Sequence, residues 1–238
     1  MALANVLTGQ RLTLFDLDYT LLRGDSDELW CEFLVTKGVM PRGDFEARNR
    51  ELARAWRNAT VSAQEFADFY VGTLAGRTPL QWEALRGEFL VAEIVPRIPL
   101  SAVQLVEDHV DAGDLVVMTT AANRFITELT AMYFGIEHLL ATEAELAQGR
   151  FTGRTRGVLN MREGKLERLR SWLRQRRHEL EAFHSTAYSD SINDLPLLEA
   201  VTRPVAVDPD PRLAAIAHDR QWTVLHLDDT VPGGLPPR

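Results

Sequence analysis

Apolar residues in this chain follow two patterns. The first is short and nearly unbroken: Leu12-Thr13-Leu14-Phe15, Leu115-Val116-Val117-Met118-Thr119, Ser185-Thr186-Ala187-Tyr188-Ser189, Pro204-Val205-Ala206-Val207 and Thr223-Val224-Leu225-His226-Leu227. Runs this short, rich in β-branched residues and lacking a polar face, predict strands covered on both sides, as in a parallel sheet. The second pattern repeats every three or four residues, as one helix face requires. It predicts helices over 123–134, 163–177 and 195–200, and Gly113 stands where a helix would stop before the second strand. Strands alternating with helices give an α/β fold: a doubly wound, Rossmann-like core around a parallel sheet.

Between the first two strands the pattern changes. From 24 to 96 it is helical throughout, with helices predicted near 27–36, 45–57, 64–74 and 80–91. Ser62-Ala63-Gln64-Glu65 forms a capping box, and Thr78-Pro79-Leu80-Gln81 puts proline at a first helical position. The expected division is therefore a catalytic core of 1–23 and 97–238, interrupted by a small helical cap of 24–96. The last residues, 231–238, rich in proline and glycine, read as a flexible tail.

Composition narrows the field. A chain of 238 residues, 45% hydrophobic and 25% charged, falls in the globular range. The formal net charge of -8 argues against a nucleic-acid binder. The basic stretch from Arg162 to Arg177 carries an apolar stripe of Leu166, Leu169, Trp172 and Leu173, which packing on a sheet would use up. One cysteine, Cys31, permits no internal disulfide framework. No apolar run approaches the ~20 residues of a membrane span, and the first residues lack the pattern of a secretion signal. The expectation is a soluble, cytoplasmic protein whose partner is a small molecule rather than nucleic acid or membrane.

The candidate chemistry sits just past the predicted strands. Asp16-Leu17-Asp18-Tyr19-Thr20 follows the first. Two carboxylates at i and i+2 can face one pocket if the chain turns, one as nucleophile and the other as proton donor and acceptor. An Asp-rich turn is the plain alternative. Tyr188-Ser189-Asp190-Ser191-Ile192-Asn193-Asp194 ends another strand, with two acids four residues apart. Such oxygens suit a hard cation such as Mg²⁺, although an acid there could equally cap the next helix. Thr119 or Thr120 could hold a phosphate oxygen, and Lys165 could offset charge on a transferring phosphoryl group. Composition alone does not single Lys165 out from its basic neighbours.

In this order the motifs LTLFDLDYT, VVMTT, EGK and TAYSDSINDLPLL resemble those of the haloacid dehalogenase superfamily, closest to its phosphoserine-phosphatase-like branch. The resemblance implies a phosphomonoester hydrolase. Asp16 would be the nucleophile that forms an aspartyl-phosphate, and Asp18 the general acid/base, with its carbonyl on Mg²⁺. Thr120 and Lys165 would hold the phosphoryl oxygens, Asp190 would ligate the metal together with Asp16, and Asp194 would support it. The family commonly has glycine before the metal-binding aspartate, where this chain has Ser189. A phosphotransferase using the same intermediate and a non-catalytic phospholigand-binding protein are the alternatives.

In phosphoserine phosphatases an acid about nine positions after the nucleophile contacts the substrate's amino group, and Asp25 stands at that spacing. It would select an amine- or imidazole-bearing substrate such as phosphoserine or histidinol phosphate. The alternative is that Asp25 only caps the first insert helix. Trp30 is a candidate to pack an imidazole ring, with the core of the bundle as its other use.

Overall fold

Strand β1 (Arg11–Phe15) is the middle of a seven-stranded sheet. The computed structural model describes residues 9–58 and 60–227; the predicted tail at 231–238 lies outside them. After β1 come helices α1 (Ser26–Thr36), α2 (Asp44–Arg57), α3 (Ala63–Gly72) and α4 (Pro79–Phe89), a π-helical turn at Leu90–Ile94, and α5 (Leu100–Asp111). Strand β2 (Leu115–Asn123), α6 (Arg124–Tyr133), and the hairpin of β3 (His138–Ala147) and β4 (Arg150–Arg156) follow. The described residues end with α7 (Glu163–Gln175), β5 (His184–Ser189), α8 (Leu195–Ala200), β6 (Arg203–Val207), α9 (Pro211–Asp219) and β7 (Thr223–Leu225).

The strand order is β4-β3-β2-β1-β5-β6-β7, all parallel except β4, which runs antiparallel to β3. Phe15 at the end of β1 pairs with Met118 on one side and Tyr188 on the other. From β1 the chain builds outward through β2 and β3, then returns to build the other way from β5. The direction reverses between β1 and β5, and ligands of open α/β sheets bind beyond the strand ends at such a point.

Alternation along the strands divides the core. Phe15, Val116, Met118 and Val205 share one cluster with Trp30 and Phe89 of the helices between β1 and β2. Leu12, Leu14, Val117 and Ala206 face the other way, onto Leu169 and Leu173 of α7 and Leu213 of α9. The apolar stripe of the basic helix is thus spent on the sheet. Several of its arginines are paired: Arg168 with Glu143 and Arg170 with Glu181. Among the described residues no single helix is long and apolar enough to cross a membrane.

Two features were not expected. The β3–β4 hairpin draws its strands from a sequence rich in Glu, Ala and Arg, which have little β preference; its Gln148-Gly149 turn has φ of 51° and 75°. Strand β2 also runs on to Asn123, with a register irregularity after Thr120. Trp30, a candidate to pack a substrate ring, is fully buried instead. Its Nε1 donates to Thr73 Oγ1 (3.1 Å), and its ring meets those of Trp82 and Phe89 edge-on.

Gly164, in the first turn of α7, fixes how that helix meets the preceding loop. A Cβ there would lie 2.1 Å from the Leu159 carbonyl oxygen, so any side chain forces loop and helix apart. Gly164→Ala is expected to destabilise the fold by about 2 kcal/mol. Thermal unfolding checks it; an unchanged melting temperature would mean that the loop yields freely.

Candidate active site

β1 ends where its last backbone pairing carries Asp16 into the crevice. Asp16 N donates to Tyr188 O (3.0 Å), which fixes it beside the end of β5. The chain then turns tightly, with the Leu17 carbonyl accepting from Thr20, Leu21 and Leu22 N (2.9–3.2 Å). Tyr19 takes a φ of 57°, an uncommon conformation for a bulky residue. Through this turn Asp18 is held at both oxygens: Ser26 N donates to Oδ1 (2.7 Å) and Thr120 Oγ1 to Oδ2 (3.2 Å).

Lys165 enters from the first turn of α7 and is buried. Its Nζ donates to Asp16 Oδ1 (2.7 Å) and Asp194 Oδ2 (2.6 Å). Asp194 also accepts from Ser189 Oγ (2.8 Å). Ser189 thus turns its hydroxyl to Asp194. Thr20, the third motif residue, couples the two acidic segments. Its Oγ1 lies 3.4 Å from Asp16 Oδ2 and 3.3 Å from Asp190 Oδ1, and it accepts from Asp190 N (3.0 Å).

Thr119 and Thr120, successive residues of β2, have different partners. Thr120 bonds Asp18. Thr119 instead accepts from Asn160 Nδ2 (3.0 Å), which also donates to the carbonyls of Thr120 and Leu140. The structure thus assembles two linked groups, Asp16–Lys165–Asp194 and Asp18–Thr120, with Thr20 joining Asp16 to Asp190.

Buried acids outnumber the one buried cation at the strand ends: Lys165 bonds Asp16 and Asp194, while among the described residues Asp18 and Asp190 have no basic side chain bonded to them. Burial pushes the Asp16 carboxyl up to about 7 against the pull of Lys165. Burial, reinforced by the charge of Asp25, pushes Asp18 to about 7. Asp190 is raised well above the usual range, first by burial and then by repulsion from Asp16 and Asp194. Lys165 is raised by its two carboxylates, which outweigh its burial. Buried acids in this excess call for another cation, because unpaired buried charge is costly.

The donor set fits a hard one. Asp16 and Asp190 both stand within reach of the Thr20 hydroxyl, and every ligand available is oxygen. Among the described residues no three His, Cys, Asp or Glu side chains are grouped to hold a metal on their own. A cation here would rely on two carboxylates completed by backbone, water and substrate oxygens, as Mg²⁺ sites often do.

The crevice opens into a cavity of about 720 Å³, lined on its acidic side by Asp18, Asp25 and Asp27. Asp25 does two things at once: Oδ1 accepts from Glu28 N (2.9 Å) and caps α1, and the residue also lines the cavity. Its carboxyl is raised to about 6, mainly by burial. Asp27 is buried, accepts from Asn123 Nδ2 (3.0 Å), and is raised well above the usual range, again by burial first. Trp56 and Arg57 of α2, Phe66 of α3 and Arg162 before α7 line the cavity too. Sequence reasoning did not pick out Trp56, Phe66 or Arg162. Arg57 reaches Glu28 (3.3 Å) and the Tyr19 hydroxyl (3.1 Å).

Residues 13–199 match the family model described as haloacid dehalogenase-like hydrolase. The chain belongs to that family. Within it, the chain is 36% identical to a histidinol-phosphatase of Neisseria meningitidis over 92% of its own length and 99% of the relative's. It is 31% identical to a phosphoserine phosphatase of Mycobacterium tuberculosis, over 88% and 68% of the two chains. A crystal structure of a Bordetella pertussis protein with unknown function superposes with a TM-score of 0.88 at 43% identity, covering 93% of this chain and all of that one. A phospho-aspartyl intermediate analogue of phosphoserine phosphatase shares the fold, with a TM-score of 0.67 at 15% identity over 92% and 94% of the two chains. This haloacid dehalogenase-like hydrolase is a phosphatase.

Proposed function

We propose that this phosphatase is a Mg²⁺-dependent phosphomonoester hydrolase that works through an aspartyl-phosphate on Asp16, with residues 24–96 acting as a cap over the site. The observation that carries the reading is Asp16 at the reversal point of the sheet, held by Lys165 at one oxygen, with Asp18 secured two residues on.

In this account an Asp16 carboxylate oxygen attacks phosphorus, and the bond from phosphorus to the ester oxygen breaks. The departing alkoxide takes its proton from Asp18, whose carboxyl, near 7, is poised to give and regain one at neutral pH. A water then attacks the acyl phosphate and yields its proton to Asp18. Inorganic phosphate leaves and the Asp16 carboxylate is restored. Lys165 and Thr120 hold phosphoryl oxygens and offset their charge, while Asp194 keeps Lys165 in place. Asp16, Asp190 and the Asp18 carbonyl would hold Mg²⁺, which when bound neutralises phosphoryl and carboxylate charge.

Metal dependence has two readouts. Chelation should abolish turnover and Mg²⁺ restore it, whereas Ca²⁺, with its larger and looser shell, should inhibit. Without substrate, Mg²⁺ at a hundred times its dissociation constant should stabilise the fold by about 2.7 kcal/mol, and Asp190→Asn should remove that shift. Full turnover in excess chelator would contradict the metal's role.

The substrate is proposed to be a small phosphate ester whose alcohol carries an amine or imidazole. Relatives named for histidinol phosphate and phosphoserine, both amino-alcohol esters, support this, as do Asp25 and Asp27 in the cavity. Asparagine caps a helix as well as aspartate does, so Asp25→Asn separates charge from capping. It should reduce the preference for amine-bearing over neutral esters by roughly tenfold to a hundredfold, with little change in melting temperature. Equal losses of kcat/KM on both ester types would reduce Asp25 to a helix cap.

A further inference from the structure

Besides its acids the cavity lining includes aromatic side chains, Trp56 and Phe66. Trp56 in α2 is half-buried and stacks on Phe66 of α3, with centroids 4.5 Å apart and planes 24° from parallel. Met161, buried in the same cluster, adds a polarisable sulfur. The cavity is far wider than a phosphate group requires, so this surface must meet the alcohol portion of the ester.

The same wall already holds a flat cation. The Arg162 guanidinium lies over the Trp56 ring, its Cζ 4.8 Å from the centroid. One of its terminal nitrogens, Nη2, is buried without a hydrogen-bond partner, and its backbone has a φ of 50°, a conformation that disfavours side-chain-bearing residues. A planar delocalised cation is thus kept on the indole by the ring face and a strained loop. Imidazolium is the same kind of group: flat, delocalised and drawn to an indole face.

We propose that Trp56, backed by Phe66, is the specificity platform of this phosphatase. The imidazole of the substrate displaces the Arg162 guanidinium, whose Nη2 has no hydrogen bond to hold it there, and stacks on the indole in its place, while Asp25 and Asp27 accept its N–H groups and those of the amine. The site thereby selects esters whose alcohol bears a flat nitrogen heterocycle over esters with an amine alone. This rests on the phosphomonoesterase reading and deepens it: among amine-bearing esters it singles out histidinol phosphate.

The test compares histidinol phosphate with phosphoethanolamine, which keeps the amine and lacks the ring. Wild-type enzyme should favour histidinol phosphate in kcat/KM. Trp56→Ala should lose roughly tenfold on that substrate, chiefly through KM, and stay within about twofold on phosphoethanolamine; Trp56→Phe, which keeps an aromatic face, should lose much less. A parallel measurement needs no variant: histidinol should inhibit the wild-type enzyme more strongly than ethanolamine. No ring preference in the wild type, histidinol inhibiting no better than ethanolamine, or equal losses on both esters in Trp56→Ala would each overturn the proposal. Those outcomes leave the phosphatase reading standing. Failure of the wild-type enzyme to hydrolyse either ester or any other phosphomonoester with Mg²⁺ present would overturn that reading instead.

Discussion

Asp16→Asn is expected to lower kcat by at least about a thousandfold while the protein still folds. The amide is nearly the size and shape of the carboxylate, so the turn at Leu17–Leu22 and the pairing of residue 16 with Tyr188 survive. What is lost is the anion proposed to attack phosphorus, and an amide oxygen is a far poorer nucleophile. Stability should hold or rise slightly, because one charge leaves a crevice where buried carboxylates outnumber lysine and repel one another. Lys165 keeps Asp194 at 2.6 Å. Phosphate release by sequence-verified variant, beside its melting curve, checks both halves. Near-normal turnover would remove Asp16 from the mechanism.

The second large effect is on Lys165. Lys165→Met keeps a long side chain but strands Asp16 and Asp194, which now share one ammonium at 2.7 and 2.6 Å. Removing one partner from a buried ion pair costs about 3–5 kcal/mol, so the variant should melt well below the wild type at neutral pH. It should also lose at least about a hundredfold in turnover, since the charge proposed to face the phosphoryl oxygens is gone. The pH dependence has a definite sign. The folded-state Asp16 carboxyl is raised from 3.8 to about 7 even with Lys165 present. The native state therefore binds that proton more tightly than the unfolded chain. Without the pull of Lys165 that carboxyl lies higher still, so as pH falls toward about 7 the variant's Asp16 takes up its proton before the wild type's, and the stability gap should narrow. A gap independent of pH would show that the loss comes from packing and not from unpaired charge.

Much of this arrangement was readable in the sequence because the strands announce themselves. Each short apolar run ends abruptly at a polar residue, and in β1 and β5 that residue is the acid that enters the crevice. The helices between β1 and β2 were legible from their caps, where Ser62 and Thr78 accept from the amides three residues on; Gln81 closes the box back to Thr78 N, whereas the Glu65 carboxylate turns to Arg48. Other features had no such local signal. The β3–β4 hairpin follows from closure against β2 and α3 and not from strand preference. Trp30 and Trp56 both sit on helical stripes, and only packing decides that one is core and the other lines the cavity. Thr119 and Thr120 are adjacent, so their roles depend on which face of β2 looks toward the site. Ser189, an apparent departure from the family pattern, makes sense only once Asp194 is seen beside its hydroxyl. In the same way Arg162 reads as one more cation of a basic helix until it is found on the Trp56 ring.

The central claim is covalent transfer to Asp16, and an acid-quench experiment tests it most directly. Enzyme with Mg²⁺ is mixed with phosphoryl-labelled histidinol phosphate, stopped within one turnover, reduced with borohydride to mark any acyl phosphate, and mapped by peptide mass. The account predicts modification at Asp16 in the wild type, none in Asp16→Asn, and a build-up no slower than product release. Steady turnover with no acyl phosphate at any time, or with the mark on another residue, would contradict it.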